Sequence, residues 1–161
     1  MSLRRAIAHH PAASWPGDQA VGTVTLAAAD RHRRRVALSD DDGAGFLLDL
    51  PRAVQMKDGD GLELDGGGFI RVVAADEEVI DISCRTEAEF ARVSWHIGNR
   101  HVPLQILANR ALRIGLDHVL LSMLEGQGLQ IWRRRAPFQP ESGAYDPHGL
   151  MDAPAPVVRR A

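Results

Sequence analysis

The side chains best suited to chemistry are seven histidines, His9, His10, His32, His96, His101, His118 and His148, and a single cysteine, Cys84. Neutral imidazole is a borderline ligand that suits nickel, zinc and copper. One cysteine permits neither an intramolecular disulfide nor a cysteine-cluster zinc site, and a lone thiol suits a reducing cytosol. The spacings of a dedicated zinc enzyme are missing: there is no H-E-x-x-H, no C-x-x-C and no H-x-E…P-C-x-x-C. Nor is there a G-x-S-x-G elbow, a G-x-x-x-x-G-K-[ST] loop or a G-x-G-x-x-G after a strand. Hydrolytic and nucleotide chemistry therefore have almost no footing, and binding is the better reading.

The densest constellation is Trp95-His96-Ile97-Gly98-Asn99-Arg100-His101-Val102-Pro103-Leu104-Gln105. Gly98-Asn99 reads as a helix stop, because both residues tolerate the left-handed conformation. Val102 is pushed toward an extended conformation by Pro103. His101 thus falls at a helix-to-strand corner and projects outward. The bland alternative is a helix-terminal histidine bonded to backbone. His96, beside the apolar Ile97, reads first as a packing residue. His118 reads as a first-turn surface histidine, and His9-His10 as a solvated terminus.

The elements that must hold this corner follow from periodicity. Residues 1–19 have no sustained pattern and read as a loose arm or an irregular first strand. Residues 21–75 carry short alternating apolar runs, among them Phe46, Leu48 and Leu50, then Leu62 and Leu64, separated by turns such as Asp41-Asp42-Gly43 and Asp65-Gly66-Gly67-Gly68. That is the signature of an all-β unit. Pro51 should end its strand. Val79-Ile80-Asp81-Ile82 is a further strand. Thr86 to Glu89 then reads as a capping box, with Phe90, Val93 and Ile97 on one helical face. Leu104–Leu107 and Ala111–Ile114 are strands. Asp117 caps a second helix with Val119, Leu120, Met123 and Leu124 inward, and Leu129–Trp132 is the last strand. The order β-α-β-β-α-β is the ferredoxin-like arrangement. The expected division is an N-terminal β domain (1–76), a ferredoxin-like α+β domain (77–137) and a flexible C-terminal tail (138–161) rich in proline.

The formal charge is −2 in 161 residues, against a dedicated binder of nucleic acid or anionic membrane. The one basic run, Arg31-His32-Arg33-Arg34-Arg35, reads as solvated strand edge. Ala6-Ile7-Ala8 is far shorter than the roughly 7–15 apolar residues of a secretory signal, and no run approaches the ~18 of a membrane span. The expectation is a cytoplasmic protein with Cys84 as a small buried residue.

At Gly98–Gln105 the sequence resembles the UreE urease accessory proteins, a nickel metallochaperone family whose members carry G-N-R-H-x-P-x-Q. The likeness runs from Asp30–Arg35 through Leu48–Arg52 and Lys57–Asp60 to Asp117-His118-Val119-Leu120 and Phe138-Gln139-Pro140-Glu141-Ser142-Gly143-Ala144-Tyr145. It implies an N-terminal β domain of the partner- or peptide-binding type, a ferredoxin-like domain that forms a homodimer, and His101 of both chains as interfacial Ni2+ ligand. His148 is the next candidate ligand, with His118 and His96 ranked behind it. A twofold axis would supply the second imidazole, since an isologous interface places each residue near its own copy. The implied partners are urease apoprotein and the urease accessory GTPase complex, with no catalysis. Ile114-Gly115-Leu116 replaces histidines that some members carry, and the tail offers only His148, which points to few ions per dimer. Two rivals are a Zn2+ or Cu2+ buffer of the same architecture, since affinity order alone favours copper, and a small metal-dependent hydrolase.

Overall fold

The computed structural model describes residues 3–143. Six strands form the first sheet: β1 (Arg4–His10), β2 (Ala20–Leu26), β3 (His32–Ser39), β4 (Gly45–Gln55), β5 (Gly61–Leu64) and β6 (Phe69–Ala74). Their order is β2-β6-β5-β1-β4-β3, with β1 and β4 parallel, β2 and β6 parallel, and the remaining pairs antiparallel. The sheet curls until the turn after β3 meets β2, where Asp41 donates its amide to Thr23 O (2.8 Å) and its carboxylate accepts from Thr25 N (2.9 Å). Alternate residues point inward, and Phe46, Leu48, Leu62, Ile70 and Val72 are wholly buried. The Asp-Gly turns fall where expected; Gly59 and Gly67 have φ of 84° and 91°, which a side chain would strain.

Three expectations about this unit are corrected. The N-terminal residues are no loose arm: β1 lies between β4 and β5, with Ala6 fully buried. His9 and His10 are no solvated terminus either, since His9 Nε2 lies 2.6 Å from Asp60 Oδ2 and His10 Nε2 lies 2.7 Å from Glu63 Oε2. Pro51 does not end β4. Between the pairs Arg35↔Asp49 and Arg33↔Val54, β4 advances five residues while β3 advances two, so the proline sits in a bulge where no ladder amide is needed.

The second sheet contains β7 (Asp76–Ser83), β8 (Leu104–Leu107), β9 (Ala111–Gly115) and β10 (Gln130–Pro137), in the order β10-β7-β9-β8, antiparallel throughout. Helices α1 (Glu87–Asn99) and α2 (His118–Glu125) pack on one face, burying Ile80, Ile82, Val93, Ile97, Leu112 and Leu124. Thr86 Oγ1 accepts from Glu89 N (3.1 Å), as its spacing requires. The reciprocal bond lands one residue earlier than expected, because the Glu89 carboxylate accepts from Arg85 N (2.7 Å) and also pairs with the Arg85 guanidinium. Asp117 Oδ1 caps α2 through Leu120 N (2.9 Å). Val119, expected on the buried face, is 70 % exposed, because Leu120 and Leu124 define the inward direction of this two-turn helix.

The opposite face of this sheet carries a charged cluster beside the apolar Val79 and Ala136. Asp81, 7 % exposed, receives Arg113 through two bonds (2.6 and 2.8 Å), with Arg134 at 3.5 Å. The open edges are protected in different ways. Strands β3 and β10 carry three consecutive arginines each, Arg33–Arg35 and Arg133–Arg135, whose charge opposes edge-to-edge pairing. β8 has no charged residue, and the chain after β10 covers it instead. Residues 138–141, expected to belong to the flexible tail, are fastened: Phe138 is 6 % exposed against Val79, Ala136 and Ala28, and Gln139 and Glu141 are hydrogen-bonded to Gln105 and β8. Arg31, expected on a solvated edge, is fully buried and donates to Leu26 O, Met56 O and Phe138 O. It joins the two sheets. Burial lowers its pKa, against the opposing pull of Glu77, Asp58 and Asp60.

Candidate metal centre

The corner at His101 is built by the end of α1. Val93 and Ile97 are buried beneath the helix, which fixes its axis over the sheet. Gly98 and Asn99 stay helical, contrary to the expected stop, and Arg100 has φ −90°. The left-handed residue is His101 itself, φ 56°, its amide donating to Gly98 O (3.0 Å). That closes the last turn in the position where glycine or asparagine is normally found. A side chain there costs on the order of 1–2 kcal/mol. Asparagine stands two residues earlier, so the histidine occupies the strained position while a cheaper residue is close by. The pattern of Gly-Asn before a histidine signals a helix end, but it does not fix which residue turns left-handed. Val102 then packs on the core and Leu104 starts β8.

His101 is exposed. The rings of His9 and His10 bond carboxylates, whereas the ring of His101 has no such bond among the described residues. His96 lies in α1, half-buried, edge-on to Trp95 at 5.1 Å. It lines a shallow depression with Glu89, Arg92, Val93, Gln127 and Leu129, where its neighbours carry one acid and one base. His118 is exposed as the first residue of α2. His148 lies outside the described residues. Among the described residues no group of three or more His, Cys, Asp or Glu side chains could hold a metal ion. Cys84 is buried at 3 % exposure, and burial, reinforced by Glu89, pushes its thiol pKa up, so it offers no thiolate. His32 is exposed on β3, in the other sheet.

Asp60, buried beside His9, is another group with perturbed ionisation. Burial pushes the Asp60 carboxyl up, but the His9 bond and the amides of Lys57 and Ala12 outweigh it, leaving the pKa below the usual range. Its work is structural: it closes the turn before β5 onto β1 and supports Trp15, which stacks on Phe69 at 5.1 Å.

The second unit exposes large apolar side chains. Trp95 is 64 % exposed, Val119 70 % and Ile106 52 %. By strand register Ile106 faces the helix side, opposite Leu112. These residues, on α1, α2 and β8, are apolar surface that the described chain leaves uncovered.

Two family models match, and between them they span nearly the whole described chain. The model for the UreE urease accessory protein N-terminal domain matches residues 4–75, and that for the C-terminal domain matches residues 77–153. The chain is 48% identical over 130 residues to the urease accessory protein UreE of Rhodopseudomonas palustris (strain HaA2), covering 81% of this chain and 60% of that protein. It is 41% identical over 143 residues to that of Beijerinckia indica, covering 89% and 82%. With that of Agrobacterium fabrum it shares 42% over 147 residues, covering 91% and 90%. It spans about three fifths of the length of the Rhodopseudomonas relatives. The two models in sequence, and identities above 40% across both sheets, leave one assignment: the chain belongs to the UreE urease accessory protein family.

Proposed function

We propose that this protein is a urease accessory metallochaperone. In this reading it binds nickel through His101 of two copies at a symmetric interface, and delivers the ion for assembly of the urease active site. The observation that carries the reading is the exposed, left-handed His101, a costly histidine at a position that glycine fills cheaply. Ala13, Asn109 and Arg110 are left-handed too, but of these four described non-glycine residues His101 alone carries a metal-ligating side chain, and strain there argues for a job done by that side chain. One imidazole holds nickel weakly, and among the described residues no group of three or more ligating side chains could hold a metal ion. A twofold axis brings two imidazoles together, with waters completing the shell. So sparse a shell suits a carrier, because an ion held by few protein ligands can be passed on.

The dimer we infer forms through the second unit, read as a ferredoxin-like domain of residues 77–137. Its β-α-β-β-α-β order and the strand order β10-β7-β9-β8 support that reading. The exposed Trp95, Ile106 and Val119 supply apolar surface for it. Residues 1–76 form the partner-facing domain, and the partners are urease apoprotein and the accessory GTPase complex. His148 is the helper ligand, with His118 and His96 ranked behind it. Among the described residues no helix is long and apolar enough to cross a membrane, and a cytoplasmic site of action fits the role. The alternative cargo is zinc or copper.

Calorimetric titration of nickel into wild type and His101→Ala tests the ligand. The expected result is at least a tenfold loss of affinity in the variant, and equal affinities would defeat the assignment. Parallel titrations with zinc and copper at matched pH decide the cargo.

A further inference from the structure

The two arginine runs on outer strands differ in what they are bonded to. On β3 the Arg33 guanidinium meets Asp30 (3.0 Å), Arg35 lies 3.5 Å from Asp49, and Arg34 Nε donates to Leu50 O (3.4 Å). That strand also shifts register against β4, and the turn after it is bonded to β2. On β10 the arginines are largely uncommitted. Among the described residues the Arg133 guanidinium has no hydrogen bond or ion pair, and Arg135 donates to Asp76 O (2.9 Å) alone. Arg134 lies 3.5 Å from Asp81, which two shorter bonds already tie to Arg113. All three are exposed on a chain whose formal charge is −2, so positive charge is concentrated here. β10 pairs with β7 without a break from Gln130↔Ser83 to Pro137↔Asp76. As an outer strand it leaves its other side without a strand partner among the described residues. Such edges are usually blunted by a bulge, a proline or a cover. β10 has a proline only at its last residue, so charge is its guard. Like charge turns away a second β10, but the same charge attracts an acidic strand.

We propose that the outer edge of β10 is a docking strand for an extended, acidic segment of a partner protein, which adds to the second sheet beside Gln130–Arg135. Main-chain bonds along the edge would hold the segment, and its alternate side chains would set the specificity. Register places Arg133 and Arg135 opposite Ile80 and Glu78, on the helix side, where they line an open depression with Leu116. Trp132 and Arg134 stand opposite Asp81 and Val79 on the other side, and Trp132 is 52 % exposed. The segment that fits therefore has three successive carboxylates, two facing the helix side and the middle one facing Arg134. An apolar residue next to them lies against Trp132. Guanidinium forks take carboxylates through paired N–H bonds, which rewards this register over a slipped one. A nucleic acid could meet the arginines but would leave the strand's backbone groups unpaired, and the net negative charge of the chain opposes it. The inference does not depend on the metal reading, since no residue of the His101 corner takes part.

The test needs no nickel. The isotope-labelled full chain is titrated with the end-blocked peptide Thr-Leu-Glu-Glu-Glu-Leu-Thr while its backbone amide signals are followed. The symmetry of the peptide sets three carboxylates opposite the three arginines in either strand direction. The expected result is a saturable shift of the Gln130–Arg135 amides, with slowed hydrogen exchange at alternate ones, the mark of an added strand. In the Arg133→Glu/Arg135→Glu variant the affinity falls at least about fivefold, the scale expected for exposed ion pairs. The peptide Thr-Leu-Lys-Lys-Lys-Leu-Thr then binds that variant more tightly than it binds wild type. If the double variant does not fold, Arg133→Glu is read in the same way. No saturable shift at β10, or equal affinity in the variant, would overturn the proposal. So would equally tight binding of an oligothymidylate without slowed exchange, which would make the arginines a general polyanion surface. A failure of the nickel reading shows separately, in the His101→Ala titration, and leaves this measurement intact.

Discussion

Replacing Arg31 with methionine should detach residues 138–141 and weaken the junction between the two sheets. The buried guanidinium donates to three carbonyls, those of Leu26, Met56 and Phe138. Methionine fills much of the stem volume, so the cavity contribution is small. Leu26 O keeps a second donor in Ala75 N (3.0 Å), leaving Met56 O and Phe138 O orphaned. Each buried unsatisfied acceptor costs about 1–3 kcal/mol. Against that, removing a buried cation recovers part of its desolvation cost, and burial is the largest influence on this group. The balance is a loss of about 3 kcal/mol, close to 150-fold in the folding equilibrium. Urea denaturation gives the first number, and hydrogen exchange at the Gln139 and Glu141 amides locates it. Those two amides should exchange faster than the β4 and β6 amides in the variant. A loss below about 1 kcal/mol, or unchanged protection of Gln139 and Glu141 with uniform loss elsewhere, would refute the assignment of Arg31 as the joint.

Three further outcomes follow from the same geometry. His101→Gly should abolish the nickel response yet raise stability by about 1 kcal/mol, because glycine removes the left-handed strain; His101→Ala should lose nickel without that gain. Thermal unfolding beside calorimetry checks both halves, and a less stable glycine variant would contradict the strain argument. Asp60 has a folded-state pKa below its ordinary value. Its contribution is therefore present above about pH 4 and lost as pH falls through the lower folded value. Asp60→Asn should flatten the acid limb of the stability–pH curve, and an unchanged slope would count against it. Thr86→Ala removes the α1 cap at a cost of about 1 kcal/mol, read as a shift in the urea midpoint with constant slope.

What can be read from residues alone is local. The alternation of Phe46, Leu48 and Leu50 and the Asp-Gly turns locate β strands, because each signal lies within a few residues of its cause. Thr86 and Asp117 mark both helix starts for the same reason. Pairing across the sequence is not legible. β1 is polar and short, and nothing local reveals that Ala6 will lie between β4 and β5. Arg31 reads as surface because a charged run normally is, and only the three carbonyls that converge on it, two of them distant in sequence, make burial tolerable. Val119 reads as inward because two turns of helix leave its apolar stripe ambiguous. At the candidate site His101 is legible through its neighbours Gly98, Asn99 and Pro103. The course of residues 138–141 is not, since Gln139 meets Gln105 and Glu141 meets β8 only after the strands between them have been ordered.

Everything proposed for the metal turns on one nickel ion shared by His101 from two copies. Native mass spectrometry of the nickel-loaded, untagged protein tests this most directly, with wild type and His101→Ala compared at equal concentration. The predicted result is a nickel adduct carried by the dimer, absent from the monomer, and lost from the variant while its dimer persists. Nickel on the wild-type monomer, or retained by the His101→Ala dimer, would contradict it.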